Sequence, residues 1–106
     1  MLERLIQLVK RKCNITWDDE DTNARIEEIV TDAIPELIHR LGIADPEFDF
    51  TKAGTERNLF RNYCFYEFNH CLNEFWVNYA DDIAQVRAKN DVEHHLASEE
   101  NSDEQI

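Results

Sequence analysis

The sequence predicts an all-α protein: a small helical bundle around one long, aromatic-rich central helix, followed by a disordered acidic C-terminal tail. Three observations support this fold class. Apolar residues recur at steps of three and four along most of the chain, which is the period of a helix face. The 106 residues include only two glycines and two prolines, so turn signals for a many-stranded sheet are few. From residue 98 onward nearly every residue is acidic or small and polar, and such a segment buries too little to order itself.

The length of the chain predicts its number of domains, and its net charge makes some classes of partner unfavourable. A chain of this length forms one domain, and we assign residues 1–90 to a helical domain and 91–106 to a flexible acidic tail. The formal net charge of −12 repels phosphate backbones and anionic membranes, so neither is expected as a direct ligand.

The odd number of cysteines, three, without a secretory leader favours a reducing compartment. No stretch approaches the run of about 18 apolar residues that spans a membrane.

The central helix is predicted from Asn58 to Ile83. Its apolar residues are mostly aromatic, no Gly or Pro interrupts them, and they cover most of the helix circumference. At about 1.5 Å per residue the helix would be roughly 38 Å long, covered on several sides by the other helices. Most of its aromatic residues are interpreted as core, whereas Trp76 and Tyr79 are candidates for either core packing or partner contact.

Two shorter amphipathic helices precede it. The first begins at Leu2 and ends with the basic triplet 10–12, where cations complement the carbonyl end of a helix. The second is predicted from Asp18 to Leu41, with Thr16 and Asp19 forming a capping box and Gly42 ending the helix in a left-handed conformation. Pro35 lies off its apolar stripe, which continues in phase on both sides, so we expect a kink there and not a break.

The segment from Ile43 to Gly54 is predicted to be a loop, because it contains both Pro46 and Gly54. Two interpretations of its aromatic residues remain open. Phe48 and Phe50 either pin the loop to the core or are presented to a partner, since loops of this length often carry function.

The sequence contains no constellation of reactive residues, so we expect no enzyme, cofactor site or metal site. No Gly-rich phosphate loop, GxSxG or CxxC motif is present. The acidic run Asp18–Asp21 lacks the alternating ligands and central Gly of a calcium loop. His94 and His95 are adjacent, so on a helix they would diverge by about 100° and make poor joint ligands.

The order and lengths of these segments resemble the small head–tail connector (adaptor) proteins of long-tailed bacteriophages and prophages. The resemblance covers roughly Leu2 to Arg87. It depends on ITWDDED at 15–21 entering an amphipathic helix that ends in LGI at 41–43, then a Phe/Asp loop, then RNLFRNYCFYEFNHCLNEFWVNY at 57–79. These are packing residues and not a catalytic signature.

The resemblance implies a structural virion protein at the head–tail junction, present in the host cytoplasm during assembly. It would form a ring beneath the portal protein, receive the tail-side completion or stopper protein, and let DNA pass through without reading it. A monomer in solution is compatible with this expectation. The C-terminal segment of such proteins often engages the portal. Candidate interface residues, for contacts between copies or with a partner, are Trp17, Phe48, Phe50, Arg57, Arg61, Trp76, Tyr79 and Arg87.

A second function class fits the same charge. An acidic phage-type regulator could mimic DNA and block a DNA-binding host protein. Such a mimic needs ordered rows of carboxylates on a folded surface, whereas much of the negative charge here lies in the tail and in Asp18–Asp21. Both classes remain open from the sequence, and neither involves catalysis.

Overall fold

The structure is a computed structural model that describes the backbone of residues 2–104 and the side chains of residues 2–93. The described backbone is all-helical, with no strand between residues 2 and 104. Its five helices are α1 (Leu2–Lys12), α2 (Glu20–Arg40), α3 (Thr55–Phe68), α4 (Leu72–Asn78) and α5 (Ala80–Glu104). The all-α fold class is therefore confirmed.

The core lies where α1, α2 and α3 pack against one another, and α4 and α5 pack onto α3. The apolar stripe predicted for α2 supplies one wall, because Ile26, Val30, Ala33 and Leu37 are completely buried. Their steps of three and four place them on one side of the helix. The other large side chains that are fully buried come from every remaining element except α5: Leu5, Val9, Leu41, Phe50, Leu59, Phe60, Cys64 and Phe75.

The helices α1, α2 and α3 each end in the same backbone motif, with one residue in the left-handed region. Those residues are Asn14 (φ 57°), Gly42 (φ 66°) and His70 (φ 58°). In each case the next amide donates to a carbonyl five residues back, and the left-handed residue's own amide donates to the carbonyl three residues back. This is the Schellman arrangement, which satisfies carbonyls that a helix end leaves free. The predicted left-handed stop at Gly42 is confirmed.

The single central helix predicted for Asn58–Ile83 is wrong. The chain leaves the helix after Phe68, turns at His70, and bends again at Tyr79, so α3, α4 and the start of α5 replace it. The rings of Tyr63 and Phe75 lie 5.5 Å apart between centroids. In one straight helix these residues would be separated by about 18 Å along the axis. Because α4 folds back, the aromatic run packs largely against itself.

The second helix starts two residues later than predicted, and the cap is formed differently. Asp19 is itself the N-cap: its Oδ2 accepts hydrogen bonds from the Thr22 amide (3.0 Å) and the Thr22 hydroxyl (2.9 Å). These hydrogen bonds hold the pKa of the Asp19 carboxyl below its usual value. The helix then continues through Pro35, whose side chain is exposed, without a break.

The predicted disorder after residue 90 is not confirmed, because α5 is helical from Ala80 to Glu104. Its first half is attached to the body by Val86, which is buried, and by Asn90, whose side-chain amide donates to the Leu41 carbonyl (2.7 Å). A helix anchored in this way adds further turns at little cost where no Gly or Pro intervenes. The radius of gyration is 16.1 Å, against about 13 Å for a compact chain of this length, and the longest dimension is 59 Å.

Candidate functional site

The candidate interface residues Trp76 and Tyr79 belong to an aromatic cluster centred on the buried ring of Phe75. Trp76 and Tyr79 each lie 5.1 Å from that ring, and Tyr63 and Tyr66 complete the cluster. Both candidates are half-buried. The Arg40 guanidinium covers the outer face of Trp76 at 4.8 Å and is also paired with Glu36. Trp76 therefore presents a cation-capped ring to the surface.

The two phenylalanines of the loop between α2 and α3 are placed differently. Phe50 is completely buried against Phe60, with ring centroids 4.8 Å apart, so it pins the loop to the core. Phe48 is half-buried and packs edge-on against Phe50. Arg57 donates to the Thr51 carbonyl (3.2 Å) and holds the end of the same loop. Of these three candidate residues, Phe48 and Arg57 retain surface that a partner could contact, and Phe50 does not.

The remaining candidates are scattered over the molecule. Trp17 is 53 % exposed in the connection between α1 and α2, where its indole donates only a long hydrogen bond, 3.4 Å, to Thr22. Arg87 on α5 donates to the Arg40 carbonyl (3.3 Å) at the end of α2. Arg61 is half-buried, and its Nε is buried without a partner among the described side chains. Arg87 thus lies beside Arg40, which caps Trp76, whereas Trp17 and Arg61 lie on other elements.

A site that the sequence did not indicate lies between α2 and α3. This acidic cleft has a volume of about 210 Å³. The helix α2 contributes two carboxylates one turn apart, and α3 contributes a third together with a phenol one turn before it. The residues lining it are Arg25, Glu28, Ile29, Asp32, Tyr63, Glu67 and His70.

The cation of the acidic cleft does not neutralise its carboxylates. Arg25 donates to the Phe68 carbonyl at the end of α3, stacks on the Phe68 ring at 4.4 Å, and lies 3.1 Å from the His70 Nε2. None of the three carboxylates, Glu28, Asp32 and Glu67, forms an ion pair with a described side chain. The cleft thus carries three carboxylates without an ion pair, and the neighbouring Arg25 is bound to Phe68 instead.

Tyr63 forms the floor of this cleft and is only 8 % exposed. Burial, reinforced by the negative charges of Glu36 and Glu67, raises the pKa of its phenol to about 12. Its hydroxyl forms no hydrogen bond with another described residue and is not among the buried polar atoms that lack a partner, so it is accessible to water.

The His, Cys, Asp and Glu side chains do not assemble a metal site in the part of the chain whose side chains are described. All three cysteines are free, and burial raises the pKa of the Cys64 thiol far above its usual value, which disfavours the nucleophilic thiolate. No group of three His, Cys, Asp or Glu side chains between residues 2 and 93 could hold a metal ion. No helix in the described chain is both long and apolar enough to cross a membrane.

The acidic cleft was missed because its residues lie on two helices separated by a loop. Glu28 with Asp32, and Tyr63 with Glu67, are i, i+4 pairs, but polar pairs at this spacing are common on solvated helix faces.

No family model, curated protein or solved structure matches this chain.

Proposed function

We propose that this protein is a head–tail connector: a structural virion protein that assembles as a ring beneath the portal and links the DNA-filled head to the tail. The observation that carries the proposal is the arrangement of α5. This helix is locked to the body through Val86 and Asn90 and then continues to Glu104 as an acidic arm. We define the arm as residues 91–104.

A helical body with a projecting arm suits a protein whose function is docking. The body supplies a rigid spacer, because three of its helix ends are closed by Schellman motifs. The arm supplies a segment that reaches a partner without disturbing the core. In the connector proteins that the sequence resembles, the C-terminal segment often engages the portal, and we assign that role to the arm.

Contacts between neighbouring copies in the ring would use the surface residues of the body. Trp17 is the most exposed aromatic of the candidate set, and Trp76 with its Arg40 cap offers a second contact. Ring formation from one chain requires two different complementary surfaces on each copy. Because the net charge is strongly negative, the ring is expected to form on the portal more readily than free in solution.

DNA would pass through the ring without being gripped. A protein that binds DNA tightly does so chiefly by placing Lys and Arg against phosphates. The chain has 11 Lys and Arg against 23 Asp and Glu, so its overall field repels DNA. This suits a conduit, and the tail-side completion protein would be recognised by protein contacts alone.

The test is reconstitution with the portal protein of the same phage or prophage. We expect the full-length chain to form portal-bound rings visible by electron microscopy and a matching mass shift in size-exclusion chromatography with light scattering. A Glu99→Lys/Glu100→Lys variant of the arm should lose this binding. A Glu27→Lys/Glu74→Lys variant, which makes the same charge change on exposed body positions, should retain it.

Failure of the full-length chain to bind the portal would contradict the connector function. Recovery of a host nuclease or polymerase in place of the portal would instead support the DNA-mimic class.

A further inference from the structure

We propose that Trp17 of one copy of this chain inserts into an apolar groove beyond the far end of α2 in a second copy. This contact would give the ring of the proposed function its two complementary surfaces, and in that respect it rests on that function. We call the groove the end groove. Its apolar lining is formed by Ile43, Ala44 and Phe48, and its polar lining by Asp45, Asn90 and Glu93.

The end groove lies between the chain that follows α2 and the middle of α5, and it has a volume of about 310 Å³. Ile43 and Phe48 are only half-buried, so the other described residues leave apolar surface uncovered there. Since a cavity of about 150 Å³ can hold a benzene ring, the end groove has room for an indole.

Trp17 has the side chain that gains most from such a groove. It is 53 % exposed, which makes it the most exposed aromatic residue between residues 2 and 93. Its indole N–H makes only a long hydrogen bond, 3.4 Å, to Thr22. Insertion would bury the ring and bring its N–H near Asn90, whose side-chain oxygen accepts from no described residue.

The Trp17 that fills a groove must come from another molecule. Trp17 contacts Thr22 at the start of α2, whereas the end groove begins at Gly42, just after this helix ends. The 21 residues of α2 separate the two by about 30 Å. A contact between surfaces at opposite ends of the body is heterologous, so repeating it closes a ring or extends a filament.

Charge complementarity also favours a second copy as the occupant. Lys10, in the basic triplet 10–12, donates to the Asn23 side chain in the first turn of α2, so the triplet lies at the same end as Trp17. Arg11 is exposed and forms no ion pair with a described side chain. Asp45 and Glu93 of the end groove also lack such a pair. The inserted Trp17 would therefore bring a free cation to two free carboxylates.

The test is sedimentation equilibrium of the full-length chain at up to about 1 mM protein, where a contact with a Kd of about 1 mM or less is populated. NaCl at about 0.15 M screens the repulsion between acidic copies. We expect the average mass of the unsubstituted chain to rise with concentration. Trp17→Ala and Ala44→Gln, which places a larger polar side chain in the groove, should each remain monomeric.

Mixing the two variants tests whether the contact is heterologous. The Trp17→Ala chain keeps an intact groove, and the Ala44→Gln chain keeps an intact Trp17. An equimolar mixture should therefore form dimers and nothing larger, because one complete contact can form. A mixture that stays monomeric would overturn the proposal. Val77→Ala removes exposed apolar surface elsewhere and should associate like the unsubstituted chain.

A charge exchange gives a second reading if Ala44→Gln fails to fold, which circular dichroism would show. Arg11→Glu and Glu93→Lys should each weaken association about tenfold, and the double variant should regain most of the loss. Absence of this recovery would overturn the assigned contact.

The result for the unsubstituted chain separates this proposal from the connector function. A chain that stays monomeric at about 1 mM, or a Trp17→Ala chain that associates normally, would overturn the Trp17 contact. Rings that still formed on the portal would leave the connector function standing. Association through Trp17 in a chain that does not bind the portal would give the opposite outcome.

Discussion

At the scale of single residues, Phe75 has the largest structural effect. It is completely buried, and four aromatic rings surround it at centroid distances of 5.1 to 5.9 Å. Because these rings come from α3, α4 and the bend before α5, one side chain joins three segments of the aromatic run. The cluster therefore fixes α4 against α3, which a continuous helix could not do.

We expect Phe75→Ala to lower the free energy of unfolding by about 3–5 kcal/mol, because a ring-sized cavity would open inside rigid neighbours. The measurement is urea denaturation followed by circular dichroism. Val77→Ala, two residues away at a position that is 77 % exposed, is the control and should change stability by less than about 0.5 kcal/mol. A similar small loss for both variants would mean that the aromatic cluster does not hold α4.

His70 occupies a backbone conformation that favours glycine. Its φ of 58° costs an L-residue roughly 1–2 kcal/mol, while glycine adds roughly 0.5–1 kcal/mol of unfolded-state entropy. We expect His70→Gly to raise the free energy of unfolding by up to about 1 kcal/mol in urea denaturation. His70→Val should lower it, since a β-branched side chain tolerates this region poorly. Destabilisation by glycine would show that the contact between His70 and Arg25 outweighs the strain.

At the scale of elements, the junction of α2 with α5 sets the direction of the arm. Arg87 and Asn90 on α5 donate to the carbonyls of Arg40 and Leu41, the last groups of α2 that need partners. Gly42 lies against α5 so closely that a Cβ there would be 3.2 Å from the Asp91 Oδ1 and 3.5 Å from the Arg87 Cγ. The junction thus favours glycine for its conformation, and a Cβ there would also push the end of the exposed Asp91 side chain by a few tenths of an ångström.

Gly42→Ala is expected to lower the free energy of unfolding by about 1–2 kcal/mol, from the positive φ alone, with a further loss from the crowding of α5. Hydrogen exchange should show faster opening of α5 than of α3. Adding Asp91→Ala should recover only the crowding part. Full recovery in the double variant would indicate that the φ of 66° carries no strain.

At the scale of the whole molecule, the excess of negative charge opposes the compact state. The ion pairs among described side chains are Arg40–Glu36, Arg87–Asp91 and Lys89–Glu56, all with at least one largely exposed partner. Exposed pairs of this kind stabilise a protein by only about 0–1 kcal/mol each. Self-repulsion from the formal charge of −12 should therefore dominate the response to salt.

We expect Tm at neutral pH to rise when NaCl is increased from about 0.01 M to about 0.15 M, which shortens the screening length from about 30 Å to about 8 Å. Differential scanning calorimetry measures the shift. A Glu28→Gln/Asp32→Asn/Glu67→Gln variant, which neutralises the acidic cleft, should show a smaller rise. A fall of Tm with NaCl would mean that the ion pairs outweigh the repulsion.

The sequence by itself determined the helical class, the apolar face of α2 and the stop at Gly42. These features depend on interactions between residues within a few positions of one another, and periodicity and glycine report such interactions directly. The connector function is a proposal, and reconstitution with the portal protein tests it.

Only the tertiary structure decided where the aromatic run breaks and that the acidic cleft exists. The apolar steps stay in phase across residues 69–71, and neither Gly nor Pro occurs there, so no strong local signal marks the break. Packing of Phe75 on Tyr63 stabilises the folded-back arrangement, and such long-range contacts have no period in the sequence. The cleft likewise arises only when α2 and α3 are brought together, because each helix carries half of it.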